Sequence, residues 1–363
     1  MLKLSIIITT RNTRAIVLDC LRSIRRFPAT CSSELIVVDD GSTDGTAEAI
    51  GREFPEVALL INERVLGFAG ANNRGMRLAK GEYFLLLNSD TIVQQGALDV
   101  MVRNLDSCAK VGMVECQLMN ADRTLQFTVG PIPNHLTVLV QALGLRHMVP
   151  RRFFPRLARL LTGSGVPRTF QLYFRSFHPS AEKQLKVLDL DGGAYLTGAC
   201  LMIRRACLWG VGLLDENFPI YTEDADLCLR AHRAGWKLRL IPGPEIIHLG
   251  GMSTGPSFRE TSPLAHRSTL YFFWKHRGKA SFLLAKVLIL FGLIRLMIWG
   301  SMARTQTLSW RAGTQVVRSL WSVWSFPPPQ EPSLVRASAE VAGPAGEAER
   351  AGEGPHYVRN TAH

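Results

Sequence analysis

Four apolar runs recur through residues 1–90, each strand-sized and each separated from the next by a helix-length stretch: LSIIITT (4–10), ELIVVDD (34–40), ALLIN (58–62) and GEYFLLLNSD (81–90). Runs that are apolar at nearly every position, not at every second one, belong to strands buried on both faces, as in a parallel sheet covered by helices. Between the first two, Ile16, Val17, Cys20, Leu21 and Ile24 fall at helical spacing. After the second, GSTDGT reads as a turn and a helix is expected from about Ala47 to Phe54. Such strand–helix–strand units close right-handed, so the spacing predicts an α/β fold with a doubly wound, mostly parallel sheet. Ligands of such sheets bind beyond the carboxyl ends of the strands. Here those ends read Thr10-Arg11-Asn12, Asp39-Asp40 and Asn88-Ser89-Asp90, all polar and two of them acidic.

Further along, AYLTGACLMIRR (194–205) reads as an apolar strand, and residues 210–236 as a loop and a helix. Thr222 suits the helix N-cap, Glu223, Asp224 and Asp226 its first turn, and Gly235 its C-terminal end. KLRLIP (237–242) and EIIH (245–248) are strand-like. Residues 1–255 therefore form the main domain, with a Pro-, Arg- and Phe-rich insertion over 125–190 holding one amphipathic piece near 150–162. Residues 256–325 are helical, basic and apolar, and the Pro-, Gly-, Ala- and Glu-rich tail from 326 to 363 is expected to be disordered.

The net charge of +12 is unevenly placed. Residues 123–181 hold eight Arg and no acid, and residues 261–330 hold nine basic residues and no acid. The rest of the chain is mildly acidic, with 25 Lys and Arg against 30 Asp and Glu. Nucleic-acid binders line a polar groove or helix face with Lys and Arg, whereas here the charges interrupt apolar sequence such as RRFFPRLARLL (151–161). Basic residues among Leu, Phe and Trp suit an anionic membrane surface, the alternative being a solvated face on buried helices. The seven cysteines form no C-x-x-C pair, as expected of reduced thiols in a cytosolic protein. An apolar strand starts at Leu4, so no signal peptide is expected before it.

Asp39-Asp40 can accept from a nucleobase N–H or a ribose hydroxyl, or can simply cap the GSTDG turn. Asn88-Ser89-Asp90 can reach a hard divalent cation, or Asp90 with Thr91 can open a following helix. The three acids of Glu223-Asp224-Ala225-Asp226 are favoured by the helix dipole, but their mutual repulsion can also raise one toward a useful general base. His248, followed by Gly-Gly, is either structural or a metal ligand beside Asp90. No G-x-G-x-x-G follows the first strand, which disfavours a dinucleotide dehydrogenase, and no G-x-x-x-x-G-K-[ST] occurs, which excludes a P-loop enzyme.

In order along the chain, IIITTRN with Cys20-Leu21-Arg22-Ser23-Ile24, VVDDGSTDGT, GFAGANNRGM (67–76), LLLNSDT, GACLMIRR, and GLLDENFPIYTEDADLCLRAHRAGW with EIIHLGG resemble the family-2 inverting glycosyltransferases over roughly residues 1–255. The bacterial rhamnosyltransferase branch is the most similar: there N-x-D replaces D-x-D, and a basic segment, here Tyr271 to Gly278, follows the catalytic domain. The resemblance implies a GT-A fold with C-terminal amphipathic helices, a Mg²⁺ or Mn²⁺ ion and a nucleotide-sugar donor, dTDP-rhamnose or alternatively a UDP-sugar. It also implies a lipid-linked or polysaccharide acceptor in cell-envelope glycan synthesis at the cytoplasmic membrane face. By the same resemblance Thr10, Asp39, Asp40, Asn73 and Asn88 would hold the donor. Asp90 would bind the metal-diphosphate with His248 as a second metal ligand, Asp224 would be the base, and Glu223 and Asp226 would tune it or hold the acceptor. Asn88 supplies one charged ligand fewer than Asp would, which loosens the expected metal dependence. A catalytically lapsed sugar-nucleotide binder would have no need of three repelling acids. A nucleotidyltransferase would need a Gly-rich loop where this chain has TTRNTRA.

In residues 280–300 only Val287 to Ile294 run uninterrupted by charge, and a membrane span needs about 20 apolar residues. Lys275, Lys279 and Lys286 fall on one face of a continuous helix, with Arg295 opposite, while Trp310, Val317, Trp321 and Trp324 recur at helical spacing. Peripheral helices are expected, with one tilted span as the alternative.

Overall fold

The protein is described by a computed structural model covering residues 2–126, 128–144, 187–250, 262–302 and 310–329. The N-terminal half alternates as its periodicity requires: β1 (Leu4–Thr10), α1 (Arg14–Arg26), β2 (Ser33–Asp39), α2 (Thr46–Glu53), β3 (Ala58–Ile61), α3 (Gly67–Leu78) and β4 (Tyr83–Asn88). The strands lie in the order β3-β2-β1-β4, all parallel. Thr10 pairs with Asp39 and Thr9 with Asn88, which brings the polar strand ends to one edge. Gly75 lets α3 lie close on this sheet, since a Cβ there would come within 2.6 Å of Ile7 Cγ2.

The chain continues through β5 (Thr91–Val93), α4 (Ala97–Asp106), β6 (Val111–Met119), β7 (Val129–Pro131), α5 (His135–Leu143), β8 (Leu188–Leu190) and β9 (Ala194–Leu196). β10 (Cys200–Arg204), α6 (Arg205–Val211), α7 (Glu223–Arg233) and β11 (Lys237–His248) follow. β10 enters the sheet antiparallel between β4 and β6, and β11 lies parallel to β6. A nine-stranded mixed sheet results, mostly parallel at its centre. The apolar run over 194–205 is thus two strands broken at Thr197–Ala199, while KLRLIP and EIIH are one strand with a register shift between Ile241 and Ile246. Asp90 and Thr91 open β5, not a helix. Apolar residues of the sheet pack on both faces, one layer including α1, α2 and α4 and the other α3, α6 and α7.

β7 and α5 occupy the described part of the 125–190 insertion; its expected amphipathic piece, with Arg151, Arg152, Arg156 and Arg159, lies outside the described residues, as does the tail from residue 330. Two helices follow, α8 (Pro263–Met302) and α9 (Trp310–Ser325). Gly278 interrupts α8 with φ 79° and ψ −179°, a conformation essentially confined to glycine. Before the break, Phe272 belongs to the core shared with α7. After it, Phe282, Ala285, Ile289 and Leu293 pack with Val138 of α5 and with Val316 and Val323 of α9. The break also undoes the expected single face of Lys275, Lys279 and Lys286, which holds only for an uninterrupted helix. Lys275 instead bonds Asp215 and Asp226, Lys286 donates to the Phe326 carbonyl, and Arg295 donates to that of Ala142. Among the described residues, Pro263–Ile298 is the one helix long and apolar enough to cross a membrane.

Candidate active site

An open cleft of about 930 Å³ runs along the carboxyl ends of the strands. Thr9 to Thr13 and Asn88 to Asp90 line it, with Phe68, Thr197 to Ala199, Tyr221, Glu223, Asp224 and His248. Of the sequence-derived candidates, Thr10, Asp40, Asn88, Asp90, Glu223, Asp224 and His248 meet here, whereas Asp39, Asn73 and Asp226 do not line it.

The chain enters α7 through two successive left-handed residues, Tyr221 (φ 60°) and Thr222 (φ 72°). Non-glycine residues held there cost about 1–3 kcal/mol each and cluster where function demands an awkward turn. Thr222 stands at the N-cap, but its side chain makes no capping bond. The turn sets the side chain of Asp224 toward the cleft, where Oδ2 accepts from Gly198 N–H (3.2 Å) and Oδ1 from Ala225 N–H (2.7 Å).

Asp226 departs from the expected acceptor-holding or base-tuning role, because its side chain faces α8. It is fully buried; Oδ2 accepts from Arg230 (2.8 Å), and Oδ1 meets Lys275 and His276 (both 2.7 Å). Burial alone would raise its pKa, but the His276 hydrogen bond and the charges of Arg230 and Lys275 hold the carboxyl well below the usual carboxylate range. A third of the acid run is therefore spent on joining α7 to α8.

At the other end of the cleft, His248 pairs with Thr91 across β11 and β5, and Leu249 N–H donates to the Asp90 carbonyl (2.9 Å). This pairing puts His248 Nε2 3.2 Å from Asp90 Oδ1, with the Asn88 amide nitrogen 3.5 Å from the same ring atom. The second ring nitrogen, Nδ1, lies 2.5 Å from Gln126 Oε1. That oxygen can only accept, so Nδ1–H donates to it, and this bond aims Nε2 at Asp90. Among the described residues no group of three or more His, Cys, Asp or Glu side chains could hold a metal ion. The Asp90 carboxylate, the His248 imidazole and the Asn88 amide nonetheless fit a small divalent cation, which takes few protein ligands and completes its shell with phosphate and water.

At the ends of β1 and β2, the Thr10 and Thr13 hydroxyls share a 2.7 Å hydrogen bond. Asp39 Oδ1 accepts from Ser42 N–H (2.7 Å), which is the turn-capping role, while its buried Oδ2 has no hydrogen-bond partner among the described residues. Asp40 accepts from the Asn62 amide and from Leu66 and Gly67 N–H, fixing the start of α3. Asn73 departs from the expected donor-binding role: its amide donates to the Leu214 carbonyl and Glu216 and accepts from Leu214 N–H, clasping α3 to the loop before α7.

The model of the glycosyl transferase family 2 matches residues 5–210, more than half of the chain. The chain belongs to the family-2 glycosyltransferases. This glycosyltransferase is 28% identical over 249 residues, 66% of its length and 73% of the relative's, to an N-acetylglucosaminyl-diphospho-decaprenol L-rhamnosyltransferase of Mycobacterium tuberculosis. It is 31% identical over 118 residues, 31% of its length and 27% of the relative's, to a poly-beta-1,6-N-acetyl-D-glucosamine synthase of Staphylococcus epidermidis. Among solved structures it is similar to the mannosyltransferase PcManGT of Pyrobaculum calidifontis, solved with GDP-Man and Mn²⁺, at TM-score 0.50 and 15% identity, covering 89% of this chain and 86% of that one. The GT-A fold expected from the motifs is the fold observed.

Two residues of the site were outside the motifs. Gln126 lies in the insertion, with nothing in its neighbours to mark it. Glu115 sits inside the buried strand β6 and contacts Thr197 in the cleft wall. Its one sequence signal is a carboxyl group between Val114 and Cys116, where an apolar residue is the rule.

Proposed function

We propose that this family-2 glycosyltransferase moves L-rhamnose from dTDP-rhamnose to a polyprenyl-diphosphate-linked sugar at the cytoplasmic face of the membrane, with inversion. The observation that carries the reading is one cleft holding both Asp224 and the Asp90–His248 pair. The mycobacterial relative, named for a decaprenol-linked acceptor, supports the donor sugar and the acceptor class. In the reaction Asp224 accepts the proton of the acceptor hydroxyl while that oxygen bonds to the anomeric carbon. The bond from that carbon to the diphosphate breaks on the opposite face, and its electron pair leaves with the nucleoside diphosphate. Thr10 serves the nucleoside, with Asp39 holding the Ser42 turn behind the cleft wall, and Asn88, Asp90 and His248 would hold a Mg²⁺ or Mn²⁺ ion. Such an ion, when bound, neutralises charge on the diphosphate.

A membrane seat for the acceptor is supported by the outer face beyond Gly278. Leu283, Val287, Phe291, Ile294 and Ile298 form one exposed stripe on α8, and Val317, Trp321 (71% exposed) and Trp324 (68%) another on α9. Lys286 donates to the Phe326 carbonyl just after α9 and Arg295 to the Ala142 carbonyl of α5, so neither interrupts that stripe. Faces of this kind sit in the lipid interface. All seven cysteines are free, in keeping with the cytoplasmic side.

Asp224→Asn tests the assignment, with a panel of nucleotide sugars including dTDP-rhamnose and UDP-sugars as donors. Transfer should be abolished and dTDP affinity should stay within a few-fold of the parent, because the base acts on the acceptor. Near-parental turnover by the variant would refute it.

A further inference from the structure

Glu115 is a carboxyl group at the centre of the sheet, wholly shielded from solvent. It pairs with Leu201 of β10 and Leu240 of β11, in the layer that packs against α7 and β9. Thr197 answers both of its oxygens: the backbone N–H donates to Oε2 (3.0 Å) and the hydroxyl is hydrogen-bonded to Oε1 (2.8 Å). Burial pushes this carboxyl well above the usual range despite those bonds, and the nearby Asp224 carboxylate pushes the same way. Burial thus favours the neutral form, in which one oxygen donates and the other accepts. An apolar side chain would fill this position at lower cost in an isolated core, so the carboxyl calls for a reason.

The next residue supplies one. Gly198 donates its N–H to Asp224 Oδ2 (3.2 Å), so the two carboxyl groups grip consecutive residues of a single turn. We propose that Glu115 is a positioning residue for Asp224: by holding the N–H and hydroxyl of Thr197 it fixes the Thr197–Ala199 turn, and with it the Gly198 N–H that orients the Asp224 carboxylate. The inference rests on Asp224 being the base. A second tether, Thr197 N–H to the Thr128 carbonyl (3.0 Å), keeps the turn attached when Glu115 is changed. Loss of the carboxyl thus displaces the turn without detaching it.

Glu115→Leu removes the grip and keeps an apolar filling. With dTDP-rhamnose as donor, kcat should fall by about 10- to 100-fold, the scale of a small misplacement of a catalytic group. KM for the donor should hold, and the acid limb of the kcat–pH profile, set by Asp224, should move. Glu115→Gln presents the same acceptor and donor to Thr197 and should restore kcat to within a few-fold, with the limb at its parental pH. Thr197→Val should reproduce the leucine variant, and the double variant should be no worse than either single one. A crystal structure of Glu115→Leu should show Gly198 N and Asp224 Oδ2 out of hydrogen-bond range, a readout that needs no substrate. A folded Glu115→Leu with the turn unmoved, or with parental kcat and acid limb, overturns the proposal. If Asp224→Asn is itself active, the base assignment fails instead, and the two failures are told apart by that variant.

Discussion

Asp226→Asn removes the one negative charge on which three cationic or protonatable groups converge. Oδ2 of Asp226 accepts from Arg230, and Oδ1 meets Lys275 and His276 at 2.7 Å, all with the carboxylate fully buried. Asp215 still serves Lys275 at 2.8 Å, and Arg230 keeps the carbonyls of Val211, Gly212 and Leu213. His276, nearly buried itself, loses its charged partner outright. Breaking a buried ion pair from one side costs about 3–5 kcal/mol, chiefly because the remaining charge is stranded. At about 2–4 °C per kcal/mol for a domain of this size, the melting temperature should fall by about 6–20 °C. Circular dichroism melts and urea titrations of parent and variant would measure it. The pH dependence has a definite sign. A carboxyl whose folded pKa is depressed stabilises the fold above its unfolded pKa of about 3.9, and that contribution is lost as pH falls toward the folded value. The gap between parent and variant should therefore be open at pH 7 and close below about pH 4. A loss under about 1 kcal/mol at pH 7, or a gap that widens on acidification, would refute the idea that this cluster joins α7 to α8.

Asp90→Ala should abolish the Mn²⁺-dependent part of dTDP binding in calorimetry and leave metal-free binding unchanged, with His248→Ala milder in the same direction. Gln126→Ala, which frees the His248 ring to flip or change tautomer, should lower Mn²⁺ affinity by about 10- to 100-fold; parental binding by all three variants would place the metal elsewhere. For α9, Trp321→Ala and Trp324→Ala should each weaken binding to phosphatidylglycerol vesicles by about tenfold. Native membranes should release the full chain in high salt followed by alkaline carbonate, whereas retention until detergent is added would mean a tilted span.

The strands β1, β2 and β4 were legible because burial on both faces leaves continuous apolar runs, and their polar ends marked the cleft directly. β6 was not: Glu115 and Gln117 break its apolar run, and Glu115 is tolerated because Thr197 in the cleft wall offers it partners. The break at Thr197–Ala199 hides inside an apolar stretch for the same reason, since what ends β9 is the geometry of the cleft and not a proline or a polar cluster. Asp224 and Asp226 look alike in the sequence, two residues apart in one turn of helix. Their division of labour depends on which face of α7 meets α8, and periodicity does not carry that. Asn73 misleads in a similar way, because an amide within a family motif reads equally well as a ligand or as a clasp. Gln126 and His248 are 122 residues apart, and only the pairing of β11 with β5 and β6 brings them together.

The break at Gly278 turns α8 into two rods with a fixed elbow. A side chain at that position cannot hold φ 79° with ψ −179°, so replacing the glycine pushes the backbone toward an unbroken helix about 60 Å long for its 40 residues. The segment beyond the elbow would then act as a lever of about 36 Å, carrying its exposed apolar stripe away from α5 and α9. On the membrane seat proposed above, the height and tilt of the cleft over the bilayer would be set by the dihedral angles of one residue. Swapping everything after Gly278 between relatives would re-aim the catalytic domain at its acceptor while leaving the cleft itself intact.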